Sequence, residues 1–378
     1  MSLAIHLYPS PMDNASRLLR IAHSLTEGID GLDVRLVGLQ VDEREGLEQV
    51  AARIQIDRLG TTAPKRETLL GRVSKVGGWY RRVYQEYRRQ PLSVVSAHTV
   101  WTLPLAFALA RTTGAPVVYN PHELETRTPT MVGAKRRVAE LIERRYIGRC
   151  AFVTTVNEQI THWYDETYPK IATPVTLYNY PSAAQATPTD VDLRTDLALS
   201  DDEVLFVHTG NITGGRNIEL IVAAFEAAAS AHVVFVGAGD LLPVVEAAAA
   251  RSRFVHRRPP VPPGEVVSLV RQADLALALI ETGALSYAWS SPNKLFEALA
   301  AGVPPVSSDL PEARRRLGAL AEQIVLESPS TQLPTLLDGI DRGEAAALAA
   351  DLAPLPSWEE GATEFVSRYR DLLNDRRG

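Results

Sequence analysis

Along the first half of the chain, short β-branched and apolar runs alternate with stretches whose apolar residues recur every three or four positions. The runs predict strands at residues 3–7, 33–39, 93–98, 116–120, 151–155 and 174–178. Helical patterns cover 15–25, 103–112 and 135–149. Strands that alternate with helices build a parallel sheet covered on both faces.

Residues 180–203 interrupt this rhythm with Pro181, Pro188 and a scatter of Ala, Thr and Asp, and read as a linker. A second series then predicts strands at 204–208, 232–236, 253–256, 274–280, 303–307 and 323–326, with a helix over 217–228. Two doubly wound α/β halves of similar size imply two Rossmann-like domains facing a cleft, with ligands at the carboxyl ends of the strands. The expected division is 1–183, 184–355 and a terminal segment 356–378. In that segment Ser357 and Glu360 have capping-box spacing, and Trp358, Ala362, Phe365, Tyr369 and Leu372 are expected on one helical face that must dock.

Composition narrows the class. At 378 residues with 46% hydrophobic and 22% charged positions, the chain suits two ordinary soluble domains. A lone cysteine, Cys150, excludes a disulfide framework and a cysteine-rich metal site, and fits a reducing compartment. The first residues show no charged-then-apolar signal, and no apolar run approaches the roughly 20 residues that span a bilayer. The expected location is therefore the cytoplasm, with peripheral contact on the inner face of the membrane. Residues 1–185 carry 23 Lys/Arg against 18 Asp/Glu, whereas 186–378 carry 16 against 27. A net charge of −6 argues against nucleic-acid partners. The basic half suits an anionic membrane or an anionic acceptor.

The candidate chemistry starts from a scarcity: the chain has five lysines against thirty-four arginines, and Lys294 is the only lysine after Lys170. It lies in Ser290-Ser291-Pro292-Asn293-Lys294-Leu295-Phe296-Glu297, before an alanine-rich stretch ending at Gly302. Serine at the N-cap, proline at the first helical position and glycine past the end predict a helix. Its N-terminus with an ammonium beside it can seat a phosphate, and Glu297 on the same edge can accept ribose hydroxyls. An ordinary capped helix with a solvated Lys–Glu pair has the same pattern. A second phosphate candidate is the glycine-rich run His208-Thr209-Gly210-Asn211-Ile212-Thr213-Gly214-Gly215-Arg216, where backbone can approach a ligand and Arg216 stands near a helix start. In the first half, His98 and His122 stand at strand ends, from which side chains reach a ligand. No metal-ligand spacing is present. Residues 75–89 interleave Trp79, Tyr80, Tyr84 and Tyr87 with Lys75, Arg81, Arg82, Arg88 and Arg89, a pattern shared by bilayer-surface helices and by plain solvated helices with an aromatic core face.

Together these segments resemble the family 4 glycosyltransferases of the GT-B fold over nearly the whole chain. Residues 119–123, ending Asn120-Pro121-His122-Glu123, resemble the family's "YDxHE" strand end; 96–105 resemble its "HAHD…LP" stretch, and 210–225 its glycine-rich loop. Residues 291–306 resemble its "PNKxFExxAxGxPVV" donor-binding segment, the most specific match. The terminal helix resembles the one that crosses back onto the first domain in this fold. The resemblance implies a retaining, metal-independent transferase that uses a UDP- or GDP-linked sugar as donor substrate and no cofactor. It implies donor contacts from Gly210, Asn211, Arg216, Ser291, Asn293, Lys294, Leu295 and Glu297, with Arg216 and Lys294 on the diphosphate and His122 facing the transferred sugar. Asn14, Arg17, His98 and Glu123 become candidates for the acceptor, whether glycan, lipid-linked or small molecule. Four positions depart from the pattern: Trp289 stands where the family often has a glutamate, Asn120-Pro121 replaces Asp-Ala, and Thr99 replaces an aspartate. The glycine pair of many first loops is also missing. A GT-B epimerase and a non-catalytic sugar-nucleotide-binding protein remain the alternatives.

Overall fold

The computed structural model describes residues 2–12, 15–40, 46–60 and 69–375. The chain divides into two units, Met1–Tyr178 with Gly361–Gly378, and Asn179–Glu360.

The first unit holds strands β1 (Ser2–Leu7), β2 (Leu32–Leu39), β3 (Gly46–Ala51), β4 (Ile54–Leu59), β5 (Leu92–Ala97), β6 (Val117–Tyr119), β7 (Phe152–Thr155) and β8 (Val175–Thr176). They form one sheet in the order β3-β4-β2-β1-β5-β6-β7-β8, parallel except for the β3–β4 pair. The second unit holds β9 (Leu205–Asn211), β10 (His232–Ala238), β11 (Val255–Arg258), β12 (Leu275–Ala278), β13 (Pro305–Ser308) and β14 (Val325–Leu326), a wholly parallel sheet ordered β11-β10-β9-β12-β13-β14. Strand order reverses between β1 and β5 in the first sheet and between β9 and β12 in the second. Those are the points where an open α/β sheet leaves room for a ligand.

All twelve strands expected from the pattern are present, with ends shifted by up to three residues. The β3–β4 pair was not legible. β3 is an edge strand with no buried side chain, so it shows no alternation. Residues 180–203 lie in the second unit, where Leu193 is fully buried in the core.

Burial on both faces explains the continuous apolar runs of the second unit. From Val204 into β9, Val204 and Phe206 enter one hydrophobic cluster with Phe225, Phe235 and Leu275, while Leu205 and Val207 enter another with Val234, Leu269 and Ala298. The aromatic face of helix Leu69–Tyr87 also turns inward: Trp79, Val83 and Tyr87 are buried, and Trp79 Nε1 donates to the Gly38 carbonyl at 2.7 Å. That segment is a solvated helix with an aromatic core face.

After residue 360 the chain returns to the first unit. Ser357 and Glu360 make both capping-box bonds, at 2.7 and 3.2 Å, and helix Thr363–Asn374 follows. Its buried face is Phe365, Val366, Tyr369 and Leu373; Leu372 is only partly buried, because the 3.6-residue period from 365 and 369 leads to 373. Phe365 and Tyr369 pack edge-on against Phe152 of β7, and the Tyr369 hydroxyl bonds Ser96 of β5. Gly28 permits this approach, since a Cβ there would stand 2.5 Å from Val366 Cγ1. Phe365→Ala is expected to destabilise the protein by about 3–5 kcal/mol in denaturant unfolding. A cost below about 1 kcal/mol would mean that the terminal helix is not part of the core.

Candidate functional site

In the second unit the site forms at the reversal point of the sheet. β9 ends in His208-Thr209-Gly210-Asn211, and the loop that follows leads into helix Ile218–Ala228. Glycine is required where this loop turns. Gly210 and Gly215 have φ of +83° and +78°, and a Cβ on Gly237 of neighbouring β10 would stand 1.8 Å from the Gly210 carbonyl oxygen. Arg216 leaves the loop with its guanidinium 5.1 Å from the Tyr287 ring, and the same ring leaves no room for a side chain at Gly215. Tyr287 therefore shapes both the loop and its cation.

Helix Asn293–Ala301 brings Lys294 to the same place, ending at Gly302 in the left-handed conformation. One expectation needs correction: Pro292 is the N-cap rather than the first helical residue, and no side chain caps the helix. Ser291 is buried, and its carbonyl accepts from Asn179 at 3.4 Å. The first-turn amides, which have no intrahelical acceptors, thus meet an N-terminus without a side-chain cap.

Lys294 Nζ donates to His208 Nε2 at 2.9 Å. Burial, then the Arg216 charge, pull Lys294 down to about 7 against the opposing pull of Glu297. His208 is held well below its ordinary range by burial and by Lys294, so it is a neutral acceptor. Its Nε2 also lies 3.4 Å from the Asn211 carbonyl, and its Nδ1 is buried without a partner. Glu297 is tied to β9 by Thr209 Oγ1 at 3.2 Å. Asn293 is exposed, as are Gly210 and Asn211, whereas the Leu295 side chain is fully buried and belongs to the core.

The first unit presents a different arrangement at its own reversal point. His98, just past β5, uses both ring nitrogens on other histidines: Nε2 meets His6 Nδ1 at 2.8 Å and Nδ1 meets His122 Nε2 at 2.9 Å. His98 and His6 are fully buried, so His98 can reach an acceptor only through His122, which is partly exposed. The Tyr8 ring lies 5.1 Å from the His122 ring. Arg17 is buried and donates to the Leu177 carbonyl at 2.9 Å. The Asn120 side-chain oxygen accepts from Thr154 at 2.5 Å, and the Thr99 backbone amide donates to Thr102 Oγ1 at 3.3 Å. Glu123 is partly exposed. Buried Glu125, raised to about 8 by burial and Glu123, accepts from the Val100 amide at 3.4 Å. Asn14 lies outside the described residues. Among the described residues no group of three or more His, Cys, Asp or Glu could hold a metal ion.

Comparison with known proteins follows the same division. The family described as glycosyl transferase 4-like domain matches residues 15–173, and that described as glycosyl transferases group 1 matches 203–331. The sucrose-phosphate synthase of Thermosynechococcus elongatus is similar in structure, with TM-score 0.72 and 15% identity over 99% of this chain and 100% of that one. Anabaena HepE, solved with UDP-glucose, gives TM-score 0.67 at 15% identity over 100% and 99% of the two chains. The E. coli trehalose-6-phosphate protein bound with UDP-2-fluoro glucose gives 0.66 at 12% identity over 99% and 98%.

The chain is a GT-B-fold, glycosyltransferase-like protein.

No curated protein matches it in sequence. In this GT-B chain the position eight residues before Glu297 is Trp289, partly buried just after the short helix Leu285–Ala288. Reading the sequence missed His208, Tyr287, His6, Tyr8 and Glu125. Histidine inside an apolar parallel strand was the available signal for His6 and His208, since a polar ring buried there needs a partner.

The desolvated ammonium has a measurable consequence. Lys294 loses its proton near 7 when folded but near 10.5 when unfolded, so between these values the unfolded state binds more protons and stability rises with pH. Lys294→Met is expected to unfold at higher denaturant concentration than wild type at pH 7, with the gap narrowing by about pH 9. A gap that stayed constant with pH would show that the ammonium is well solvated.

Proposed function

We propose that the protein transfers a sugar from a nucleoside-diphosphate sugar to an acceptor hydroxyl, with retention at the anomeric carbon and without a metal ion. The observation that carries this reading is Lys294, a desolvated ammonium beside Arg216 at an uncapped helix N-terminus, hydrogen-bonded to a neutral imidazole. A diphosphate supplies the charge this position lacks. The UDP-sugar complexes of Anabaena HepE and the E. coli protein support a UDP-linked donor.

In this reaction the bond from the anomeric carbon to the diphosphate oxygen breaks, and a bond to the acceptor oxygen forms on the same face. The acceptor proton passes to the departing phosphate. Negative charge grows on the diphosphate, where Lys294 and Arg216 would each contribute about 4 kcal/mol at 4 Å and an effective dielectric near 20. Fixed donors of this kind stabilise a leaving group without a metal. Glu297 takes the ribose hydroxyls, and Gly210, Asn211, Ser291 and Asn293 surround the donor. His122 serves the transferred sugar, and Arg17 and Glu123 serve the acceptor. Lys294→Ala is expected to lower turnover about a hundredfold or more in a folded protein, and to abolish thermal stabilisation by UDP. Near-normal transfer by that variant would remove Lys294 from the mechanism, and donor turnover without any acceptor would favour an epimerase.

A peripheral membrane contact belongs to the same reading, with the acceptor then lipid-linked. Its support is the basic helix Gly133–Tyr146, where Val138 and Leu141 are 48% and 69% exposed among Lys135, Arg137, Arg144 and Arg145. Apolar side chains ringed by cations suit an anionic bilayer surface. The wild type is expected to cosediment with phosphatidylglycerol vesicles at low salt, and Leu141→Asp to lose most of that binding. Equal recovery of both proteins, or none of the wild type, would sink the contact.

A further inference from the structure

Three imidazoles in the first unit form one hydrogen-bonded row, His6–His98–His122, with contacts of 2.8 and 2.9 Å. Burial removes charge from all three: it lowers His6 and His122 to about 3 and His98 well below its ordinary range, with Arg17 adding to the effect on His98 and His122. Three neutral rings carry three ring protons, one each. Each of the two contacts between rings needs one N–H and one lone pair.

Only two arrangements satisfy both contacts. In one, every ring is protonated on Nδ1: His6 donates to His98, His98 donates to His122, and His122 Nδ1–H points out of the row. In the other, every ring is protonated on Nε2, His122 Nδ1 becomes an acceptor, and the spare proton sits on His6 Nε2. That nitrogen is buried with no partner. An orphaned N–H is rarer and more costly than an idle lone pair, so the first arrangement is favoured. Packing holds the two end rings, Tyr369 stacking on His6 with centroids 6.3 Å apart and Tyr8 lying 5.1 Å from His122.

We propose that His6 and His98 are positioning residues that lock His122 as a hydrogen-bond donor through Nδ1. Resting on the transferase reading, this makes His122 donate to a sugar or acceptor oxygen rather than take a proton from it. The lone pair that a general base would need is already occupied by His98.

The test reads tautomers directly. In the full chain labelled with 15N-histidine, long-range proton–nitrogen correlation at pH 7 is expected to show His122 protonated on Nδ1 and bare on Nε2. Proton on Nε2, or a doubly protonated ring, overturns the proposal. His6→Leu removes the first donor of the row and is expected to move part of the His122 population to the Nε2 form and lower turnover about tenfold, with donor KM unchanged. His6→Asn places an amide N–H near the lost Nδ1–H and is expected to restore the Nδ1 form and most of the turnover. An unaltered tautomer in a folded His6→Leu protein also overturns the lock. If His6→Leu does not fold, the wild-type spectrum still decides. Because tautomers are read without substrate, failure of the lock and failure of the transferase reading are separate results.

Discussion

Partial burial of the Lys294 ammonium beside a second cation is the constraint on which the second unit's site depends. A depression from 10.5 to about 7 corresponds to about 5 kcal/mol set against the charged form. The fold carries this cost by keeping two cations at one helix end and giving Lys294 a neutral histidine as its hydrogen-bond partner. Each compensation available in water is weaker here, and an anion at the same point would strengthen every interaction at once. Under the proposed function, the diphosphate meets a site already arranged for its charge, so little reorganisation remains for the reaction itself.

Parallel sheets impose the location. Each strand sends its carboxyl end to the same edge, and at the reversal point the connections on either side diverge and leave that edge open. His208 and the glycine loop leave β9 there, and residues after β12 supply Tyr287. In the first unit His98 leaves β5 beside β1, which carries His6. The two sites are chemically unlike, yet the same topological feature produces both. The glycine positions follow from this crowding. Gly237 exists because the Gly210 carbonyl passes 1.8 Å from where its Cβ would be, and Gly215 because Tyr287 occupies the corresponding space.

How much of this could be read from sequence depended on whether a residue's meaning was local. The strands were legible because burial on both faces writes itself as a continuous apolar run, and Lys294 was legible because lysine is so scarce in this chain. The helix beginning at Asn293 was legible too, though not its cap, since Ser-Pro-Asn permits proline at either position. What failed was pairing at a distance. His6 and His98 are 92 positions apart and meet only because β1 and β5 are neighbours in the sheet. Lys294 and His208 are 86 apart and meet through contact between a helix and β9. The β3–β4 edge was invisible because exposed strands bury nothing and so leave no period. Leu372 was placed one residue short of the buried face because the expected set spaced its last member by three where four was needed.

The electrostatic contrast between the two units bears on the proposed chemistry. As the bond to a diphosphate breaks, negative charge collects on the leaving group while positive charge collects on the sugar ring, as in other glycosyl transfers with oxocarbenium-like transition states. Cations serve the first partner and oppose the second. Lys294 and Arg216 suit the diphosphate, but an imidazolium close to the sugar would raise the energy of the ring as it became positive. A neutral imidazole avoids that penalty and can still donate a hydrogen bond, because polarisation by an N–H dipole does not require net charge. The burial of His122 and the Arg17 charge near it therefore bear on the chemistry as well as on packing. Under the proposed function, a His122 held far below its ordinary range is a polar group that leaves a cationic sugar undisturbed. The same residue on an exposed loop would spend part of its time charged near pH 6.5 and would lose that property.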